Sequence, residues 1–170
     1  MLSKEEKQNI AKIKKLIRTR DFEKIEMGIE LVRSINNPKI FDELLGNVEI
    51  ERGVKFKHDW KGAGPDEHYF QTAILGLLNF SPKGSKGYEI RDSVQNLIIE
   101  GEIKSGYSYV RTKVFLKYLS NFSNLKVLRV ENYKEIVGFE EIYNLPIEDL
   151  ELDRGYTLPN HGEKWAFKKL

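Results

Sequence analysis

The chain holds three histidines, His58, His68 and His161, and two of them stand beside carboxylates. His58-Asp59 and Asp66-Glu67-His68 carry the residue types that ligate a metal ion or form an acid–base pair. Brought together, His58, Asp59, Asp66 and His68 would serve a small metal-dependent hydrolase or nuclease. That chemistry requires the four side chains to converge in one cleft. No HExxH or comparable ligand spacing occurs, so surface or capping roles are the plainer expectation. Beside them runs Lys61-Gly62-Ala63-Gly64-Pro65-Asp66, and backbone N–H groups at a helix start can hold phosphate. A full GxGxxG and a Walker Lys-Ser/Thr are both missing. A Gly-rich turn, with Pro65 and Asp66 as N-cap chemistry, is the better reading. No GxSxG is present and there is no cysteine. The cysteine-free chain excludes disulfides, thiolate nucleophiles and zinc sites with sulfur ligands. No catalytic residue, metal or cofactor is assigned.

The elements that would carry these residues read plainly. Val48, Ile50, Val54 and Phe56 alternate with Glu49, Glu51, Lys55 and Lys57 around Arg52-Gly53, which predicts a hairpin. The outward Glu and Lys residues could pair across its strands. His58 would close its second strand. His68 would sit in the first turn of a helix burying Tyr69, Phe70, Ala73, Ile74, Leu77 and Leu78. Upstream, Ser3 and Glu6 form a capping box, and Ile10, Ile13, Leu16 and Ile17 mark one helical face. Asp21 is a candidate cap for a second helix, with Phe22, Ile25, Ile29, Val32 and Ile35 at helical spacing. Gly28 interrupts it, which predicts close packing against a neighbouring helix. Asn37-Pro38 starts a third helix and Gly46 ends it. Ser81-Pro82-Lys83-Gly84-Ser85-Lys86-Gly87 reads as a linker between residues 1–80 and 88–170.

Composition narrows the classes. The 170 residues are 40% hydrophobic and 32% charged, with a formal charge of +2. This is an ordinary globular composition, and its charge is too small to imply nucleic acid by itself. The first twenty residues hold Lys4, Lys7, Lys12, Lys14, Lys15, Arg18 and Arg20. They are interleaved with Ile10, Ile13 and Ile17, so an amphipathic helix with solvated lysines is expected rather than a nucleic-acid arm. No run approaches the roughly 18 apolar residues of a membrane span. The expectation is a soluble, cytoplasmic protein, with the initial Met and the tail arguing for a complete chain.

Three stretches share apolar residues at positions 1, 4 and 6. They are Val94–Ile99, Leu125–Val130 and Ile147–Leu152. Leu97 and Leu128 are 31 residues apart, Leu128 and Leu150 only 22. The longer interval predicts an insertion near Gly106. Phe115, Leu119 and Phe122 lead into the second stretch, and Phe139, Ile142 and Leu145 into the third, as a helix or 3₁₀ segment packing behind a strand would.

On these residues, 88–158 resembles the leucine-rich repeat family, in degenerate form with about three repeats. Asp21–Leu45 resembles a HEAT-like helical hairpin. The family's turn asparagine, three residues after the last apolar position, is replaced by Glu102, Tyr133 and Gly155. The resemblance implies an α/β chain: a helical N-terminal cap with a small hairpin, then a short solenoid with a parallel sheet. It further implies a non-enzymatic protein-interaction module whose concave strand face binds a macromolecule. An inhibitor or immunity-type protein fits this size. The implied contact residues are Gln95, Asn96 and Ile98; Lys126, Arg129 and Glu131; and Glu148, Asp149, Glu151 and Asp153. The span Glu140 to Asp153 holds six acidic residues and no basic one, so a basic protein partner is expected. Trp60, Tyr107, Tyr109, Tyr133, Tyr156 and Trp165 are the candidate interface aromatics. The tail from Glu163 to Leu170 would cover the open end of the stack.

Overall fold

The computed structural model describes residues 1–61 and 67–154, together with the backbone of 164–168. Asp66, Gly155, Tyr156 and His161 lie outside the described residues, as does the Gly-rich turn at 62–66. The chain is mixed α/β and groups into two compact units. The first comprises residues 1–49 and 56–91, the second residues 50–55 and 92–170.

The first unit is helical: α1 (Lys4–Ile17), α2 (Phe22–Ile35), α3 (Pro38–Leu45) and α4 (Glu67–Phe80), with α5 (Lys86–Ser93) beginning within it. Local rules place the first three. The Ser3 hydroxyl accepts from the Glu6 amide while the Glu6 carboxylate accepts from the Ser3 amide. Asp21 accepts from the amides of Glu23 and Lys24, and Asn37 accepts from that of Lys39 with Pro38 in the first turn. These bonds to backbone N–H, the leading cause in each case, hold the Glu6 and Asp21 carboxyls below their ordinary range. Gly28 meets α1 so closely that a Cβ there would stand 2.5 Å from Ile17 Cγ2. Helix α4 is buried nearly all round, from Phe70 through Leu78, and Gly76 lies against Ile29 of α2. Burial of these helix faces is what stabilises the unit, because short helices in water are marginal by themselves.

Ser81–Gly87 is not an extended linker. Ser81 and Ser85 are buried, the Ser81 hydroxyl donates to the Leu77 carbonyl, and the Ser85 hydroxyl accepts from the Tyr88 amide to cap α5. Local turn chemistry, which Gly and Pro signal equally well in linkers and in packed turns, accounts for the difference. The predicted hairpin is present as β1 (Glu49–Glu51) and β2 (Lys55–Lys57), with positive φ at Arg52 and Gly53. Lys55 reaches Glu100 at 3.8 Å rather than a cross-strand carboxylate.

The second unit is built on a four-stranded sheet of order β10-β9-β7-β3. Its parallel core is β3 (Asn96–Glu100), β7 (Val127–Glu131) and β9 (Asp149–Asp153), and β10 (Lys164–Lys168) joins β9 antiparallel. The three 1-4-6 stretches stand in register: Leu97, Leu128 and Leu150 form one rung, and Ile99, Val130 and Leu152 another. All six are buried. A second, smaller parallel pair, β6 (Lys113–Phe115) with β8 (Glu135–Val137), runs beside 3₁₀ turns at Leu116–Leu119 and Phe139–Ile142. The lead-in residues Phe122, Ile142 and Leu145 are buried, as the pattern predicts. The surplus of the first interval is accounted for by the ten-residue hairpin of β4 (Glu102–Ser105) and β5 (Ser108–Arg111), which turns at Gly106. No helix among the described residues is long and apolar enough to cross a membrane.

Candidate functional site

Side chains alternate across a strand, so a buried rung at 97, 99 and their equivalents turns the intervening residues outward. Register then makes rows of them. Asn96, Val127 and Asp149 form the first, Ile98, Arg129 and Glu151 the second, and Glu100, Glu131 and Asp153 the third. Neighbours in a row lie about 4.8 Å apart. Arg129 Nε stands 3.5 Å from Glu151 Oε2, a half-exposed pair of small energetic value. The third row sets three carboxylates side by side, and Lys55 reaches the Glu100 end of it at 3.8 Å. Gln95, Lys126 and Glu148 lie just ahead of the strands instead of on their face. They are exposed and joined through backbone, with Lys126 N–H donating to the Gln95 carbonyl and Glu148 N–H to that of Lys126. Seven of the ten expected contact residues therefore fall on the outward face of the sheet, and the other three precede its strands. In the register of β10 with β9, Lys164 stands opposite Asp153 and Lys168 opposite Asp149.

Among the described residues of the candidate acid–base group, His58, Asp59 and His68 each have neighbours that hold them. The His58 side chain is only 3% exposed and is used up by its neighbours. The Trp60 amide donates to Nδ1, which leaves Nε2 to carry the proton and donate to Glu67 Oε2 at 3.0 Å. Glu67 also accepts from Gln71 Nε2, which donates to the Phe56 carbonyl as well, so the group ties β2 to α4. His68 is buried against Phe22 with its ring 5.6 Å away, edge to face. Asp59 accepts from Asn47. No cluster of three metal-ligating side chains occurs among the described residues. Sequence reasoning missed Glu67 as the partner of His58, because the bond joins a loop to the next helix across the Gly-rich turn.

The aromatics also divide. Trp60 and Tyr133 are core, at 3% and 5% exposure, and Trp60 Nε1 donates to the Leu45 carbonyl. Tyr107 and Tyr109 are exposed. Trp165 lies on β10, where only backbone is described. On α1 Ile10, Ile13 and Ile17 are buried while Lys4, Lys7, Lys12 and Lys15 are exposed, and Lys14 is half-buried beside α3.

A cleft of about 350 Å³ in the first unit escaped the sequence reading. Lys14, Arg18, Asp42, Glu43, Asp59 and Lys61 line it, so cations and carboxylates balance. The Arg18 guanidinium stacks on Trp60 at 4.4 Å and donates to the Leu44 carbonyl. Burial lowers its pKa, and Asp59 opposes that shift. Lys14 is already paired with Glu43 at 3.4 Å. These contacts make a structural cluster joining α1 to α3.

Comparison with protein-family models, with curated proteins and with solved structures gives no match to this chain.

Proposed function

We propose that the protein is a non-enzymatic binding module, and that its second unit is a short leucine-rich-repeat-like stack that holds a basic protein on the outward face of β3, β7 and β9. The observation that carries the reading is the register. Three sequence-equivalent strands align so that Ile98-Arg129-Glu151 and Glu100-Glu131-Asp153 become continuous rows on one face. A row of carboxylates on that face suits a cationic partner. The engagement of both nitrogens of His58 and the burial of His68 favour binding over hydrolysis. An inhibitor or immunity-type role, in which the module masks a basic toxin or enzyme, is the specific form we favour.

The test is affinity capture from the native source with wild-type protein and the variant Glu148→Lys/Asp149→Lys/Glu151→Lys. The variant should lose at least about a hundredfold in affinity, since each desolvated charge pair at an interface is worth roughly 1.5 kcal/mol or more. Equal capture by a folded variant would remove this surface from consideration.

A further inference from the structure

The β4–β5 hairpin is the insertion that breaks the repeat spacing, and it has the composition of a contact element. Seven large hydrophobic side chains are exposed among the described residues, and three are on these ten residues. Tyr107 is fully exposed, Tyr109 is 67% exposed and Val110 44%. Single exposed apolar residues are ordinary, but a patch on one small element marks an interaction site. The turn explains how Tyr107 is displayed. Gly106 has φ +62° and Tyr107 does not have positive φ, the signature of a two-residue turn with glycine first, which carries the second residue's side chain at the tip. Nothing lies within 4 Å of where a Gly106 Cβ would be, so the tip is open.

The base of the hairpin is fixed beside the carboxylate row. Gly101 N–H donates to the Glu131 carbonyl at 2.8 Å, and Thr112 N–H closes the base on the Gly101 carbonyl at 2.7 Å. Asn132 N–H in turn donates to the Asp153 carbonyl. The hairpin thus springs from the same strand ends that carry Glu100, Glu131 and Asp153. Four residues of strand reach only about 13 Å, so the tyrosines stay close to that row.

We infer that Tyr107 and Tyr109, with the Glu100-Glu131-Asp153 row, form one recognition surface for an arginine-rich protein segment. The inference deepens the function proposed above and rests on it. Arginine is the side chain that suits both halves: its planar fork pairs with carboxylates, and the same plane stacks on aromatic faces. Lysine would use the carboxylates but gain less from the rings. The hairpin's own Lys104 and Arg111 would suit a nucleic-acid strand stacked on the tyrosines, but the carboxylate row repels phosphate. Arg111 also stands opposite Glu102 in the hairpin register.

The experiment measures binding of the whole chain to a labelled nona-arginine peptide, a nona-lysine peptide and a single-stranded oligonucleotide, at low and high salt. Nona-arginine should bind best. Tyr107→Ala/Tyr109→Ala should weaken it about tenfold, from the loss of two exposed cation–π contacts, and should abolish the preference over nona-lysine. Tyr107→Phe/Tyr109→Phe should keep both. Unchanged melting of each variant confirms an intact fold. Equal binding of the two peptides by wild type, an alanine variant that binds like wild type, absence of nona-arginine binding, or tighter binding of the oligonucleotide would each overturn the inference. Failure is separable from failure of the broader reading. If the β9 charge reversal abolishes partner capture while the tyrosine variant captures normally, the sheet face stands and the hairpin does not.

Discussion

Replacing Arg91 by alanine should destabilise the first unit by about 3–5 kcal/mol, a loss typical of breaking a buried, charge-assisted hydrogen-bond network. Arg91 is 9% exposed, and its Nη1 donates to the carbonyls of Leu78, Asn79 and Ser81 at 3.0, 2.6 and 3.2 Å. The last four carbonyls of a helix have no partner within it, so Arg91 finishes the end of α4 from a different element. Its positive charge also suits the negative end of the helix dipole. The alanine variant takes this donor from all three carbonyls, leaving Leu78 with the Ser81 N–H alone, and removes the stacking of the guanidinium on Tyr88 at 4.8 Å. Arg91→Lys should cost less, because an ammonium group can still reach one or two of the carbonyls. Urea unfolding reads the total. Amide exchange places it, since protection should fall in α4 while β7 and β9 stay as they are.

The second unit has its own sensitive position at Gly138, between β8 and the second 3₁₀ turn. Its φ is +75°, and an added Cβ would lie 2.5 Å from Lys117 Cβ and 2.9 Å from the Lys117 backbone. Two independent costs therefore coincide in Gly138→Val: a β-branched residue forced into left-handed backbone, and a collision with main chain that cannot rotate away. Together they amount to about 3–5 kcal/mol. The expected signature is the reverse of that for Arg91→Ala, with exchange protection lost in β7 and β9 and kept in α4. Wild-type-like protection in β7 and β9 would contradict the packing of the two 3₁₀ turns described above.

What the sequence disclosed follows the range of the forces involved. The caps at Ser3, Asp21 and Asn37 are bonds between residues two or three apart, so their chemistry is written in adjacent letters. The three parallel strands are equally legible, because positions 4 and 6 must both be apolar to bury one side of each strand. Even the hairpin at Gly106 showed as a surplus in the repeat interval. Long-range partners did not show. Arg91 belongs to no motif of the sequence, and its partners are backbone carbonyls ten to thirteen residues earlier. Trp60 and Tyr133 stand among the candidate interface aromatics although they are core, because an aromatic in a loop looks the same whether buried or free. The strands β6 and β8 are three residues each, too short for alternation to declare them. In the candidate site, the residues on β3, β7 and β9 were identifiable from the apolar positions that flank them. Their assembly into rows, and the lysines of β10 beside the acidic strand, depend on register, which no single stretch contains.

The central claim is that a partner lies on the outward face of β3, β7 and β9. A photo-crosslinking residue, p-benzoylphenylalanine, tests it directly when placed either at Ile98, in the middle row of that face, or at Tyr143, which is 71% exposed just past the second 3₁₀ turn. Irradiation in the presence of the captured partner should give an adduct from position 98 and none from position 143. An adduct from position 143 with none from position 98 would contradict the account.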